Sequence, residues 1–228
     1  DRTNTAPRQD SRSYKIYCGH GIAVDKNPNS KNFGKIFITE ADQGTAERAA
    51  YPQTKSLPGL YVLDPDFEFR NTARYTGGNN FSLYVIQHYY ISDRLGYQPW
   101  RVRVSEEGRI FVCSNDMHQR QADQNGVAVW EIDRNNFNTW TPILRGVRAS
   151  DYTFTYQGYF IGPVCGMDVK GTGDNLTLLL YTVNKTGVDY GESGFRAYEY
   201  NVKSKVLTPI PAFNNGGFGI AFDLVSLV

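Results

Sequence analysis

Short apolar segments separated by polar turns run through the whole chain, and three stretches repeat them in the same order. Each stretch contains an apolar strand, a turn, a second apolar strand, a loop, a third strand that ends near Asp or Asn, and a fourth strand. The predicted strands are 21–25, 35–40, 59–64 and 68–72 in the first stretch, 102–105, 109–114, 127–133 and 139–144 in the second, and 166–169, 176–181, 195–201 and 205–210 in the third. Short strands at this spacing predict an all-β fold built from repeats.

Two of the predicted strands, 35–40 and 109–114, are apolar at consecutive positions rather than at alternate ones. Consecutive apolar residues are typical of strands that are covered on both faces. The repeats are therefore expected to stack face to face, with Ile22, Val102 and Met167 at equivalent positions.

Four-stranded repeats that stack around an axis form a β-propeller, whose sheets are called blades. The sequence predicts a partial β-propeller of three complete four-stranded blades plus the first strand of another. The expected boundaries are an extended or disordered segment 1–12, a partial propeller 13–228, blades at about 20–76, 100–146 and 165–211, and the start of the next blade at 218–228.

A closed propeller generally has about 4 to 8 blades, more than the three predicted here. The chain is expected to belong to a ring of about six to eight blades, either because the natural protein continues or because two copies close the ring. An open arc exposes apolar blade faces, which favours self-association.

Two segments resemble known propellers. Pro99 to Val112 resembles the inner hairpin of NHL-type and SMP-30-type propellers, and His20 to Ala41 is similar to propeller domains of secreted surface proteins from gut Bacteroidetes. The resemblance implies a secreted or cell-surface location. It also implies an alternative function, because SMP-30-type propellers are metal-dependent lactonases with acidic ligands in the central channel.

The charge of the chain is nearly balanced, with 24 Lys plus Arg against 23 Asp plus Glu and a formal net charge of +1. This balance gives no electrostatic reason to expect nucleic acid or an anionic membrane as a partner. No segment approaches the roughly 18 consecutive apolar residues of a membrane helix, so no membrane insertion is expected.

The three cysteines, Cys18, Cys113 and Cys165, are too few and too scattered for a disulfide scaffold or a zinc site. They are expected to be small buried side chains in strands, and a Cys18–Cys165 bridge is the alternative.

Catalytic motifs are scarce. The three histidines, His20, His88 and His118, form no spacing suited to zinc, and there is no nucleophile elbow or calcium loop. The Gly-rich segment 171–175 is expected to be a hairpin turn because it leads into another strand. We therefore expect no catalytic residues, no enzymatic activity and no cofactor.

A channel-sited divalent cation is the alternative, with Asp25, Asp168 and Asp223 as its candidate ligands. These residues lie on or next to the innermost strands of the predicted blades. Asp at a strand end is also an ordinary turn cap.

Aromatic and basic residues are the strongest candidates for ligand binding. Aromatic faces stack on sugar rings and their polar groups donate directional hydrogen bonds, while Arg101 and Arg103 lie two apart and should project to one face. The candidate binding residues are Tyr84, His88, Tyr89, Tyr90, Trp100, Arg101, Arg103 and His118. The alternatives are packing between blades for the aromatics, including a second Tyr-rich stretch at 152–159, and pairing with neighbouring acidic residues for the arginines.

These observations favour a non-catalytic binding or scaffold propeller that recognises a glycan or a protein partner. The absence of a catalytic set and the aromatic-rich segments between predicted strands motivate this hypothesis.

Overall fold

The computed structural model describes residues 19–40, 59–63, 81–84, 99–114, 125–137, 139–150, 153–157, 159–161, 164–182 and 194–214. The predicted N-terminal segment 1–12, the predicted strand 68–72 and the predicted next blade 218–228 lie outside the described residues.

The described part of the chain is all-β apart from one four-residue helix, Pro211–Asn214. The strands form three antiparallel sheets in chain order, of four, six and four strands. The first sheet contains β1 (Gly19–Val24), β2 (Ile36–Glu40), β3 (Gly59–Leu63) and β4 (Phe81–Tyr84). The second contains β5 (Pro99–Val104), β6 (Ile110–Ser114), β7 (Asn125–Ile132), β8 (Trp140–Ser150), β9 (Thr153–Tyr156) and β10 (Tyr159–Ile161). The third contains β11 (Val164–Lys170), β12 (Asn175–Thr182), β13 (Gly194–Asn201) and β14 (Val206–Pro209).

Three features differ from the predicted four-stranded units. The fourth strand of the first sheet is Phe81–Tyr84, which pairs with β3, so this sheet extends past residue 76. The second sheet has six strands, because the Tyr-rich stretch 152–159 supplies most of a β9–β10 hairpin. β8 also runs to Ser150, six residues beyond the predicted end at Leu144. Arg145 and Arg148 interrupt the apolar pattern there, so the pattern does not predict this part of the strand.

The strand registers place the three repeats in the same alignment. Ile22 pairs with Ile38, Val102 with Val112, and Met167 with Leu180. The predicted equivalence of Ile22, Val102 and Met167 therefore agrees with the pairing of strands. We call the face that carries these three residues the leading face of each sheet, and the opposite face, which carries Phe37, Phe111 and Leu179, the trailing face.

Two apolar clusters hold the sheets together face to face. One joins the trailing face of the first sheet to the leading face of the second, through residues that include Phe37, Leu60, Val102 and Val112. The other joins the trailing face of the second sheet to the leading face of the third, through residues that include Phe111, Val129, Met167 and Leu180. The second sheet is therefore covered on both faces.

The β6 strand shows why its sequence is apolar without interruption. Ile110 and Val112 belong to the first cluster, while Phe111 and Cys113 belong to the second, and all four are fully buried. The expectation of cover on both faces is correct for this strand. It is only half met in β2, where Phe37 is buried while Ile36 and Ile38 on the leading face are partly exposed.

A buried carboxylate links the second sheet to the third. Glu131 on β7 is 6% exposed and accepts hydrogen bonds from Tyr200 Oη at 2.6 Å, Arg109 Nη1 at 3.0 Å and Lys205 Nζ. Tyr200 lies on β13 of the third sheet, and Lys205 lies in the turn between β13 and β14. A buried charge is tolerated only where it is paired and hydrogen-bonded, as here. Burial and the Glu131 carboxylate together raise the pKa of Tyr200 far above its usual value.

Gly21 marks the closest approach of the first two sheets. A Cβ atom at this position would lie 2.8 Å from the backbone nitrogen of Val102 and 2.9 Å from Cα of Arg101. At Gly166, the equivalent position of the third sheet, the nearest atom is Cβ of Tyr181 at 3.1 Å.

We therefore predict that Gly21→Ala lowers the free energy of unfolding by roughly 1–3 kcal/mol, because the backbone of β5 must move to admit the methyl group. Gly166→Ala is the matched control and should cost clearly less. Chemical denaturation of the two variants measures the difference, and an equal loss in both would contradict the close packing of β1 on β5.

We also predict that Glu131→Gln lowers the free energy of unfolding by about 1–3 kcal/mol, because Lys205 and Arg109 lose their carboxylate partner. Tyr200→Phe, which removes a single donor, should cost about 1 kcal/mol. Glu199→Gln at an exposed position of the neighbouring strand should stay within about 0.5 kcal/mol of the unsubstituted chain. Chemical denaturation at neutral pH measures all three, and a loss in Glu131→Gln no larger than in Glu199→Gln would count against the network.

Candidate binding site at the first strands

The first strands of the three sheets lie side by side, with β5 between β1 and β11. Their turns also follow one another. The turn after β1 lies close to Gly108 in the turn after β5. The approach is so close that a Cβ added at Gly108 would lie 2.8 Å from Ser30 Oγ. Glu107 in that second turn accepts a 2.7 Å hydrogen bond from the backbone N–H of Gly173 in the turn after β11. Side chains from three sheets therefore meet along these strands.

Each of the three first strands has an irregularity at the same position. The pairing register shifts at His20 in β1, at Trp100 in β5 and at Cys165 in β11. A residue inserted in this way leaves the regular hydrogen-bond ladder, so that its carbonyl group needs another donor.

Side chains of neighbouring sheets supply those donors. Arg101 Nη1 donates to the carbonyl oxygen of His20, and Arg101 Nε donates to that of Cys165 at 3.3 Å. Thr39 Oγ1 donates to the carbonyl oxygen of Trp100 at 2.9 Å. One guanidinium group thus connects β1, β5 and β11.

Arg103 lies on the same side of β5 as Arg101, since the two residues stand opposite Phe111 and Cys113 in the pairing with β6. Its Nε atom lies 3.4 Å from Oδ1 of Asp168 on β11. The side chains of this pair are 37% and 51% exposed, respectively. A donor and an acceptor are therefore presented next to each other in contact with solvent.

An aromatic pair adjoins Arg101. The rings of His20 and Trp100 are stacked, with centroids 3.5 Å apart and planes inclined by 16°. Partial burial, and secondarily the positive charge of Arg101, lower the pKa of His20 below its usual value. The imidazole is therefore neutral at pH 7, which suits stacking next to a guanidinium group.

The three carboxylates that the sequence offers as metal ligands do not share one role. Asp25 is fully buried and caps its own turn, since it accepts from the backbone N–H of Asn27 at 3.0 Å and from Ser30 Oγ at 2.6 Å. In the alignment of the three repeats, Asp168 is equivalent to Arg103. It therefore comes two residues earlier in its repeat than Asp25 does. Asp223 lies outside the described residues. Within the described ranges no group of three or more His, Cys, Asp or Glu side chains is placed to hold a metal ion.

Of the predicted binding residues, the structure brings together Trp100, Arg101 and Arg103. Tyr84 is the last residue of β4, and only its backbone is described. His88, Tyr89, Tyr90 and His118 lie outside the described residues.

The expected alternative, in which the arginines pair with neighbouring acidic residues, holds for Arg103 and Asp168. Sequence reasoning missed His20, Thr39 and the identity of Asp168 as the acidic partner. Aligning the three repeats on Ile22, Val102 and Met167 places His20 at the position of Trp100, which is the signal that points to it. Nothing in the spacing shows that the hydroxyl of Thr39 reaches a neighbouring sheet.

The described cysteines fit small strand residues. Cys113 is fully buried, and burial raises the pKa of its thiol to about 12. Its Sγ lies 3.6 Å from the carbonyl oxygen of Val164. Cys165 is partly buried on β11. Cys18, the predicted alternative partner of Cys165, lies outside the described residues.

Comparison with known proteins leaves the chain without an assigned family. No protein-family model matches it, and no curated protein is significantly similar to it. The resemblance to NHL-type and SMP-30-type propellers remains a prediction. None of the helices in the described residues is long and apolar enough to cross a membrane.

We predict that an NMR titration gives His20 a pKa below its usual value of 6.5. Arg101→Met should move the pKa upward, because the nearby positive charge no longer disfavours the imidazolium ion. Arg101→Lys keeps the charge and should leave the pKa lower than in Arg101→Met. Identical His20 titrations in both variants would contradict the electrostatic contact.

Proposed function

We propose that the chain is a consecutive part of a β-propeller and acts as a non-catalytic binding module whose ligand is a glycan. The single observation that carries the proposal is the polar and aromatic cluster where three first strands meet. Three sheets stacked in series, with their first strands adjacent, support a propeller arrangement. We further propose a secreted or cell-surface location for this module.

The Arg103–Asp168 pair supports a hydroxyl-rich ligand. Its side chains are half-exposed and hold a donor and an acceptor 3.4 Å apart. Neighbouring sugar hydroxyls both donate and accept, so one ring can bind both groups without leaving a charge unpaired. Trp100 is partly buried, stacked on His20 and packed against the second apolar cluster, and its remaining exposed surface is aromatic, of the kind that packs on sugar rings.

A binding role agrees better with the cluster than hydrolysis does. Both Asp25 carboxylate oxygens are engaged within their own turn. No described side chain forms a nucleophile–base pair in the cluster. A metal-dependent lactonase therefore has no specific observation in its favour among the described residues.

We predict that the chain is retained by at least one glycan on an array, and that Arg103→Ala and Asp168→Asn each weaken this binding about tenfold, which corresponds to about 1.4 kcal/mol. The loss follows from removing one half of the donor–acceptor pair. Affinity electrophoresis with the retained glycan gives the dissociation constants.

Lys203→Ala is the matched control. Lys203 forms an exposed ion pair with Asp174 at 2.6 Å, in the turn that follows β11 and six residues beyond Asp168, so its loss should leave binding unchanged. Retention of no glycan by the unsubstituted chain would overturn the proposed ligand class. Equal binding by the Arg103→Ala variant would place the ligand elsewhere on the chain.

A further inference from the structure

The leading face of the first sheet carries apolar residues that the other two sheets bury. The four equivalent positions are Ile22, Val24, Ile36 and Ile38 in the first sheet, Val102, Val104, Ile110 and Val112 in the second, and Met167, Val169, Leu178 and Leu180 in the third. In the second and third sheets these residues pack against the preceding sheet. In the first sheet Ile22 is 63% exposed and Val24 is 38% exposed.

The trailing face of the third sheet is partly exposed at the complementary positions, although Ala197, which pairs with Leu179, is buried. Leu179, Tyr181 and Phe195 occupy the positions that Phe111, Cys113 and Val129 hold in the second sheet. The three residues of the second sheet are fully buried under the third sheet. Tyr181 is instead 39% exposed, and Leu179 and Phe195 are only partly buried.

Each exposed face matches the partner that its equivalents already have within the chain. A leading face packs on a trailing face at both internal interfaces, through aliphatic and aromatic side chains on both sides. The chain therefore presents both halves of an interface that it forms twice internally. Apolar surface of this kind is stabilised by burial.

We propose that two copies of this chain associate head to tail, so that the leading face of the first sheet in one copy packs on the trailing face of the third sheet in the other. A second copy of the chain is the expected partner, because every copy carries one leading face and one trailing face. The net charge of +1 imposes little repulsion between copies. Two such interfaces close a dimeric ring when three sheets turn through half a circle. This inference does not depend on the proposed glycan ligand.

The test is the mass of the chain in solution, measured by sedimentation and light scattering over a range of concentrations. The unsubstituted chain should form a dimer. Ile22→Asp places a charge on the leading face of the first sheet, and Tyr181→Asp places one on the trailing face of the third sheet. Each variant alone should therefore be monomeric, with its association constant lowered at least about tenfold. Phe33→Asp is the matched control, because Phe33 is an apolar residue 54% exposed in the turn after β1, and it should remain dimeric.

A mixture of the two variants distinguishes head-to-tail association from other geometries. The Ile22→Asp chain keeps its trailing face and the Tyr181→Asp chain keeps its leading face, so the mixture should form a mixed dimer through a single interface. Unchanged circular dichroism shows that each variant is folded. A monomeric unsubstituted chain would overturn the proposal, as would loss of dimer in Phe33→Asp or a mixture that stays monomeric.

Discussion

The need to cover both faces of the second sheet is the constraint on which the rest of the structure depends. The β6 strand has apolar side chains at four consecutive positions, and all four are fully buried. A strand of this kind is stable only between two other layers. The first and third sheets supply those layers, so the three sheets stack in series rather than as a two-layer sandwich. Among the described residues, each end of the stack has apolar side chains that are partly exposed.

Stacking in series also brings together the first strands, and with them their irregular positions. The inserted residues His20, Trp100 and Cys165 leave carbonyl groups outside the regular ladder. Arg101 and Thr39 donate to these groups across sheet boundaries. The hydrogen bonds to these carbonyl groups thus place the guanidinium group of Arg101 among three strands. Arg103 and Asp168 form a more exposed ion pair on the same side of β5.

A second polar network joins the second sheet to the third. Glu131 lies in an otherwise apolar interface and is matched by Tyr200, Lys205 and Arg109. This network is dedicated to joining two sheets and leaves its carboxylate almost inaccessible to solvent. The cluster at the first strands differs because its ion pair remains half-exposed, which is what makes it the better candidate for a ligand.

The sequence by itself determined the all-β class, the three repeats and the alignment of Ile22, Val102 and Met167, because burial on alternate or consecutive positions is written into local apolar patterns. It also singled out Trp100, Arg101 and Arg103. It did not reveal the extension of β8, where Arg145 and Arg148 interrupt the apolar pattern. It also did not reveal the β9–β10 hairpin, whose Tyr-rich stretch indicates a binding or packing segment rather than strands. Only the tertiary structure decided that Thr39 and Asp168 join the cluster, because contacts between sheets depend on how distant segments pack and leave no mark on local spacing.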